Sequence, residues 1–285
     1  MAAQLSAVLT RQRRQHRLVL ATPILLGLGV VLLWELVART GAVSPFFLPA
    51  PSRIVARLFA DVSSTMLLRL AAITLIEAML GSLLGTVIAF PLGYIIARNR
   101  WAAAGLQPYV AASQAMPAVA LAPLLVIWVG YGLLPIVLLC ALLVFFPILL
   151  GTMLGLRTID PDFLDAARLD GAFGWRLLWH IEVPLALPSL LTGLRNGFTL
   201  SITGAVVGEF VMGGTGLGMI VSVQGNSADT TGLFASLLVL ALLAVGMYSL
   251  LRAVERVLNT ERPTVRSRFA PLLPAADLSR PKEPR

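Results

Sequence analysis

The sequence predicts an all-α, polytopic membrane protein with six transmembrane helices, on three grounds. The 285 residues are 58% hydrophobic and only 13% charged, with a mean hydropathy of +0.87. Nearly uncharged runs of about 20 residues recur, the length a helix needs to cross hydrocarbon. Lys and Arg collect in alternate loops, as they do in an oriented membrane protein. A soluble core of this size would need a polar exterior that this composition does not supply.

Span one is read over residues 18–38, after Arg11, Arg13, Arg14 and Arg17. That basic start resembles a signal peptide, but the apolar run is long and lacks a small-residue cleavage site, so it reads as a retained span. FLPAPSRIVARLF follows as a short amphipathic helix on the outer surface, with Ser52 as its N-cap and Ile54, Val55 and Leu58 as its apolar stripe. Span two covers 66–97, long enough to tilt or protrude. Spans three to six cover 103–129, 133–153, 188–212 and 232–252. Pro117, Pro123, Pro147, Gly193 and Gly197 predict bent helices that line protein or a cavity rather than lipid. The domain plan is an N-terminal segment 1–17, a transmembrane domain 18–255 with a polar loop at 157–187, and a disordered, proline-rich tail 256–285.

Charge sets the orientation. Seventeen Lys and Arg fall on the side that holds both termini and the loop after span four, against Arg39, Arg53, Arg57 and Arg69 on the other. Both termini and the 157–187 loop are therefore expected in the cytoplasm of a cell (inner) membrane protein. The same distribution accounts for the net charge of +8 without nucleic acid. Cys140 sits in an apolar run and reads as packing. His16 and His180 are isolated, so no metal site and no cofactor are expected.

One segment does not belong in hydrocarbon. Residues 157–191 carry Asp160, Asp162, Asp165, Asp170 and Glu182 with three arginines. Asp160 is placed to cap a helix, Pro161 to begin it and Asp162 to meet its positive end. Phe163, Leu164, Ala166, Ala167 and Leu169 continue it, Gly171 ends it, and Trp175, Leu177, Leu178 and Ile181 form a second apolar helix before Pro184. The loop is either an interfacial hairpin with no partner or a helix that docks in a groove on a soluble partner, and the exposed Ala-Ala surface favours docking.

Here the residues resemble a known family. Asp165-Ala166-Ala167, Gly171, Ile181 and Pro184 look like the EAA loop of ABC importer permeases, with Asp for Glu at Asp165 and Val183 for the usual Leu. The resemblance extends over about residues 45–255: LPAPSRI, ITLIEAMLGSLLG, AMPAVALAPLLVIWVGYG, FFPILLGT, LALPSLLTGLRNG and VVGEFVMGGTGLG all look like permeases of the nitrate/sulfonate/taurine type. This implies a type I importer permease fold whose first loop helix is a coupling helix, with Asp165, Ala166, Ala167, Gly171 and Pro184 as the ATPase-coupling residues. It also implies cytoplasmic ABC ATPase subunits, an extracytoplasmic solute-binding protein and a second permease copy as partners. The cargo it implies is a sulfonate, taurine or nitrate, or a pyrimidine or vitamin precursor.

The chain itself carries no ATPase signature. A Walker A loop needs a lysine after its glycines, and the only lysine is Lys282 in the tail. Gly213, Gly214, Gly216 and Gly218 read instead as a tight outer turn. The chain is thus a transport subunit and not an enzyme. An ion-coupled secondary transporter would show internal repeats and ion-coupling charges within the membrane, but there is no internal repeat and intramembrane charges are few; an intramembrane hydrolase would show Gly-x-Ser-x-Gly or His-Glu-x-x-His, and neither motif is present.

Span two repeats Gly81, Gly85, Ala89 and Gly93, a flat face for packing within the chain or against a second copy. Glu77 is either a satisfied carboxyl in a packing helix or a functional one. Glu209 is either satisfied by neighbours or an outer-gate or pore residue. Ser113 and Gln114 precede Pro117 on a helix read as broken, a device that lines translocation paths. Ser113, Gln114 and Glu209 are the expected path residues.

Overall fold

The computed structural model describes residues 22–260, and every regular element among them is helical. In order these are α1 (Thr22–Arg39), α2 (Pro51–Ser63), α3 (Met66–Arg98), α4 (Arg100–Ala115), a 3-10 turn (Ala118–Leu121), α5 (Ala122–Val129), α6 (Leu133–Arg157), α7 (Pro161–Leu169), α8 (Trp175–Leu177), a π-turn (Leu178–Glu182), α9 (Val183–Met212), α10 (Leu217–Asn226) and α11 (Thr230–Thr260). Five helical stretches are long and apolar enough to cross a membrane, and α4 with α5 makes a sixth if that broken pair is one span. The break falls at Met116-Pro117, where proline disfavours the helical conformation of its predecessor. The basic segment 1–17 and the tail beyond Thr260 lie outside the described residues. Helix α11 continues through Thr260.

Close packing divides the chain into two units. The first takes in the described chain as far as Leu84, then Met116–Leu143 and Leu200–Ala244. Its apolar core joins Leu67, Leu70 and Ala71 of α3 to Leu217 of α10, with Leu58 and Val62 of α2 at the edge. Gly81 of α3 faces Val137, Cys140 and Ala141 of α6 so closely that an added Cβ would overlap Cys140. Cys140 is buried, and its Sγ lies 3.4 Å from the Ser201 carbonyl oxygen. Packing, as expected, is the role of this thiol.

The second unit comprises Gly85–Ala115, Val144–Thr199 and the described chain from Val245. Ala89 and Ile96 of α3 pack on Val144, Ile148, Leu149 and Met153 of α6, and Gly93 sits against Thr152. The small-residue face of span two is therefore used within the chain. Gly193 of α9 lies against the Pro147 carbonyl and Gly151 of α6, and Gly197 against Val144. These two glycines serve close backbone approach, the small-residue packing by which helices associate without a hydrophobic gain in lipid.

Three expectations are corrected. Ser52 is not the cap of α2. Ala50 holds that position without a side-chain bond, while the Ser52 N–H and hydroxyl both donate to Glu35 of α1, at 3.0 and 2.8 Å. A carboxylate from another helix thus meets the positive end of α2. The second loop helix is not a separate element, because α8 runs through the π-turn directly into α9. The helical stretch that contains span five accordingly starts at Trp175, upstream of the 188 read for the span. Pro184 lies in the first turn of α9 and cannot donate an N–H, and the wider turn beside it loosens the ladder its ring would disrupt. Span four likewise continues to Arg157.

Candidate functional site

The polar loop belongs to the second unit. Helix α7 begins as its sequence dictates: Asp160 is the N-cap, its Oδ1 accepts the Asp162 N–H at 3.0 Å, and Pro161 opens the first turn. Its end is equally specific. Gly171 N–H donates to the Arg168 carbonyl at 3.0 Å and Ala172 N–H to the Ala167 carbonyl at 2.9 Å, with Gly171 at φ +84°. That pair of bonds is a Schellman motif, which needs a left-handed residue just past the helix. Nothing stands within 4 Å of a Cβ added to Gly171. Backbone conformation, and not space, requires glycine there.

The inner side of α7 is anchored. Leu164 is buried with Leu156, Ile159, Leu177, Ala186 and Leu190, and Ala167 and Ala172 pack at the edge of that cluster. The outer side is uncovered among the described residues: Asp165 and Ala166 are exposed, Leu169 is 90% exposed, and Phe163, Phe173 and Trp175 stand out beside them. Asp165 is bridged to Arg168 at 2.8 Å, one turn away on the same surface. The result is a short helix with an apolar and small-residue face that no described residue covers. Pro184 is separate from this face, half-buried in the first turn of α9.

Behind the loop lies an ion pair that sequence reading missed. Arg98 at the end of α3 meets Glu182 of the π-turn at 2.8 Å, with Glu182 only 2% exposed. Arg157 donates to the Ile96 carbonyl at 3.3 Å, so the ends of α3 and α6 are tied at the same place.

The first unit holds a buried polar cluster. Glu209 of α9 is 1% exposed. Its Oε1 accepts the Thr74 hydroxyl at 2.6 Å, and its Oε2 accepts the Gly218 N–H. Glu77 of α3, also buried, has its carboxyl within hydrogen-bonding reach of Glu209. A Cβ on Gly216 would overlap the Glu209 carboxylate, and one on Gly218 would meet the Val206 carbonyl. The glycine cluster is therefore the close wrapping of a chain around one acid. Ser113 is half-buried and donates to the Val110 carbonyl at 3.0 Å, while Gln114 is exposed near the end of α4.

A profile of the binding-protein-dependent transport system inner membrane component family matches residues 89–260, a stretch that contains α7 and both ion-paired ends. The chain belongs to that family. It is an ABC importer permease. It is 40% identical over 238 residues to the riboflavin transport system permease protein RibX of Chloroflexus aurantiacus, covering 82% of this chain and 89% of that one. It is 33% identical to the formylaminopyrimidine transport permease protein ThiX of Halalkalibacterium halodurans, over 83% of this chain and 94% of the relative. The taurine transport system permease protein TauC of Escherichia coli is 28% identical, over 91% and 98%. Among solved structures, an inward-facing form of the MetNI methionine ABC transporter superposes with a TM-score of 0.62 at 21% identity, covering 70% of this chain and 98% of that one. That likeness establishes the type I importer permease fold.

As a permease the chain is a multi-pass membrane component of a binding-protein-dependent system, and ATP hydrolysis falls to a separate subunit. One further residue of the permease escaped the sequence reading. Arg195 lies within α9, where a lone cation is costly. It is bonded to Glu255 of α11 at 2.7 Å and stacks over Tyr248 at 5.2 Å. The signal was the charge itself inside an apolar run, but its partner lies 60 residues away.

Proposed function

We propose that α7 is the coupling helix of this permease and that its exposed face, with Asp165 and Ala166 at its centre, seats in a cleft of a cytoplasmic ABC ATPase. The observation that carries this is the two-sided construction of α7: Leu164 and Ala167 anchor it while Asp165, Ala166 and Leu169 remain uncovered. Gly171 sets where the helix stops, and Pro184 with the π-turn sets how the loop passes into α9. On this reading both termini are cytoplasmic, as the distribution of Lys and Arg supports. ATP-driven closure of two ATPases rocks two copies of this chain, which form one pore as a homodimer. Ser113 and Gln114, before the break at Pro117, face the path. Glu209 acts on it through the position of α10.

The cargo is a small solute delivered by an extracytoplasmic binding protein. Of the relatives above, those at 40% and 33% identity are named for riboflavin and formylaminopyrimidine, and the one at 28% for taurine. The relative at 40% identity supports a nitrogen heterocycle. So does Arg195, which is committed to Glu255 and not free for an anion.

The test is co-purification of the membrane-inserted permease with its ATPase. Ala166→Arg changes an uncovered surface and leaves the Leu164 anchor intact, so it is expected to abolish ATPase association while insertion and melting stay normal. Wild-type ATPase recovery by that variant would remove α7 from the coupling role.

A further inference from the structure

We propose that the corner between α1 and α2 is a binding site for the phosphoryl headgroup of an anionic phospholipid. A cleft of about 440 Å³ opens there, with Arg39, Ser52 and Arg53 set among Ala38, Pro45 and Ala50. That volume falls within the roughly 300–1,000 Å³ of small-ligand clefts.

The charges are arranged for an anion. Glu35 is occupied by this corner's own donors: the Arg39 Nε, the Ser52 N–H and the Ser52 hydroxyl. Those bonds hold Arg39 in place, with Nη2 also 3.4 Å from Ser52 Oγ. Its side chain remains 69% exposed, and Arg53 is an exposed residue on the same cleft. Two guanidiniums against one carboxylate leave one net positive charge, on groups whose planar forks match phosphate oxygens.

The position identifies the source of the phosphate. Arg39 is the last residue of a span, where an arginine reaches the headgroup level of a bilayer. Next to the cleft in sequence, Phe46 and Phe47 are both more than half exposed and pack edge to face at 5.2 Å, as interfacial aromatics do. Along α1, Leu25, Leu28, Leu32 and Leu36 are all more than half exposed. A headgroup in the cleft would lay its acyl chains along these leucines.

Native mass spectrometry of the full chain, released from mixed micelles of detergent with phosphatidylglycerol or phosphatidylcholine, tests the site. Phosphatidylglycerol adducts are expected to persist in clear excess over phosphatidylcholine adducts. Each arginine near a membrane surface is worth about fivefold in anionic-lipid affinity, so Arg53→Gln should lower retention about fivefold and the Arg39→Gln/Arg53→Gln pair further. Arg53→Gln leaves the Glu35–Arg39–Ser52 bonds intact and guards against a folding defect, and Arg53→Lys should restore much of the binding. Excess inorganic phosphate should not displace the lipid. Equal retention of both lipids, or wild-type retention by Arg53→Gln and by the double variant, would overturn the proposal. Displacement by inorganic phosphate would assign the cleft to a soluble anion and overturn the lipid.

Discussion

The Thr74 hydroxyl donates to Glu209 at 2.6 Å across 135 residues of chain, and the same oxygen accepts the Leu217 N–H at 2.9 Å. One side chain of α3 thereby fixes both the last turns of α9 and the first turn of α10. All three residues are buried, so removing the hydroxyl strands a donor and an acceptor at about 1–3 kcal/mol. Thr74→Val should lower the melting temperature of the purified permease by several degrees, and Glu209→Ala should lower it more. Melting curves that match wild type for both would remove the pinning role.

Glu77 is expected to behave in the opposite way. Its carboxyl faces that of Glu209, and an amide donates where an ionised carboxylate cannot. Glu77→Gln should therefore melt at or above the wild-type temperature, whereas Glu77→Ala should melt below it. A Gln variant that melted well below wild type would show that Glu77 is needed as an acid.

Gly171 tests the end of α7. Its φ of +84° costs an L-residue about 1–2 kcal/mol, and a β-branched residue more. Gly171→Ala should reduce transport modestly, Gly171→Val strongly, and Gly171→Asn least, because Asn tolerates the left-handed region. Transport by reconstituted permease and ATPase is the readout, and an unchanged rate for Gly171→Val would separate the Schellman turn from coupling.

Half-buried Arg98 and buried Glu182 form a pair in which one partner alone is worse than neither. Glu182→Leu leaves Arg98 without its partner and should lower stability, by less than the roughly 3–5 kcal/mol of a fully buried pair because water reaches Arg98. Arg98→Met with Glu182→Leu should recover most of it in a thermal melt. If the double variant melts no higher than the single, the pair is not a coupled unit.

Much of the loop was legible in sequence because its signals are local. Asp160, Pro161 and Gly171 each act on backbone within a few residues, and α7 starts and stops where they dictate. The break between α4 and α5 was legible for the same reason, through Pro117. The cap of α2 was not: Ser52 has the right residue type, but the carboxylate that meets that helix end comes from Glu35, 17 residues earlier. The π-turn was hidden because Leu178–Glu182 has ordinary helical composition.

The sequence by itself determined that the chain is a set of apolar helices long enough to cross a membrane, and it carried the family. These follow from hydropathy, proline and glycine, which act on the chain one segment at a time. Only the tertiary structure decided which charges meet. Arg98 with Glu182 and Arg195 with Glu255 are ion pairs between helices remote in sequence. Away from bulk water each charge must find an opposite partner, but its own sequence neighbourhood does not say which.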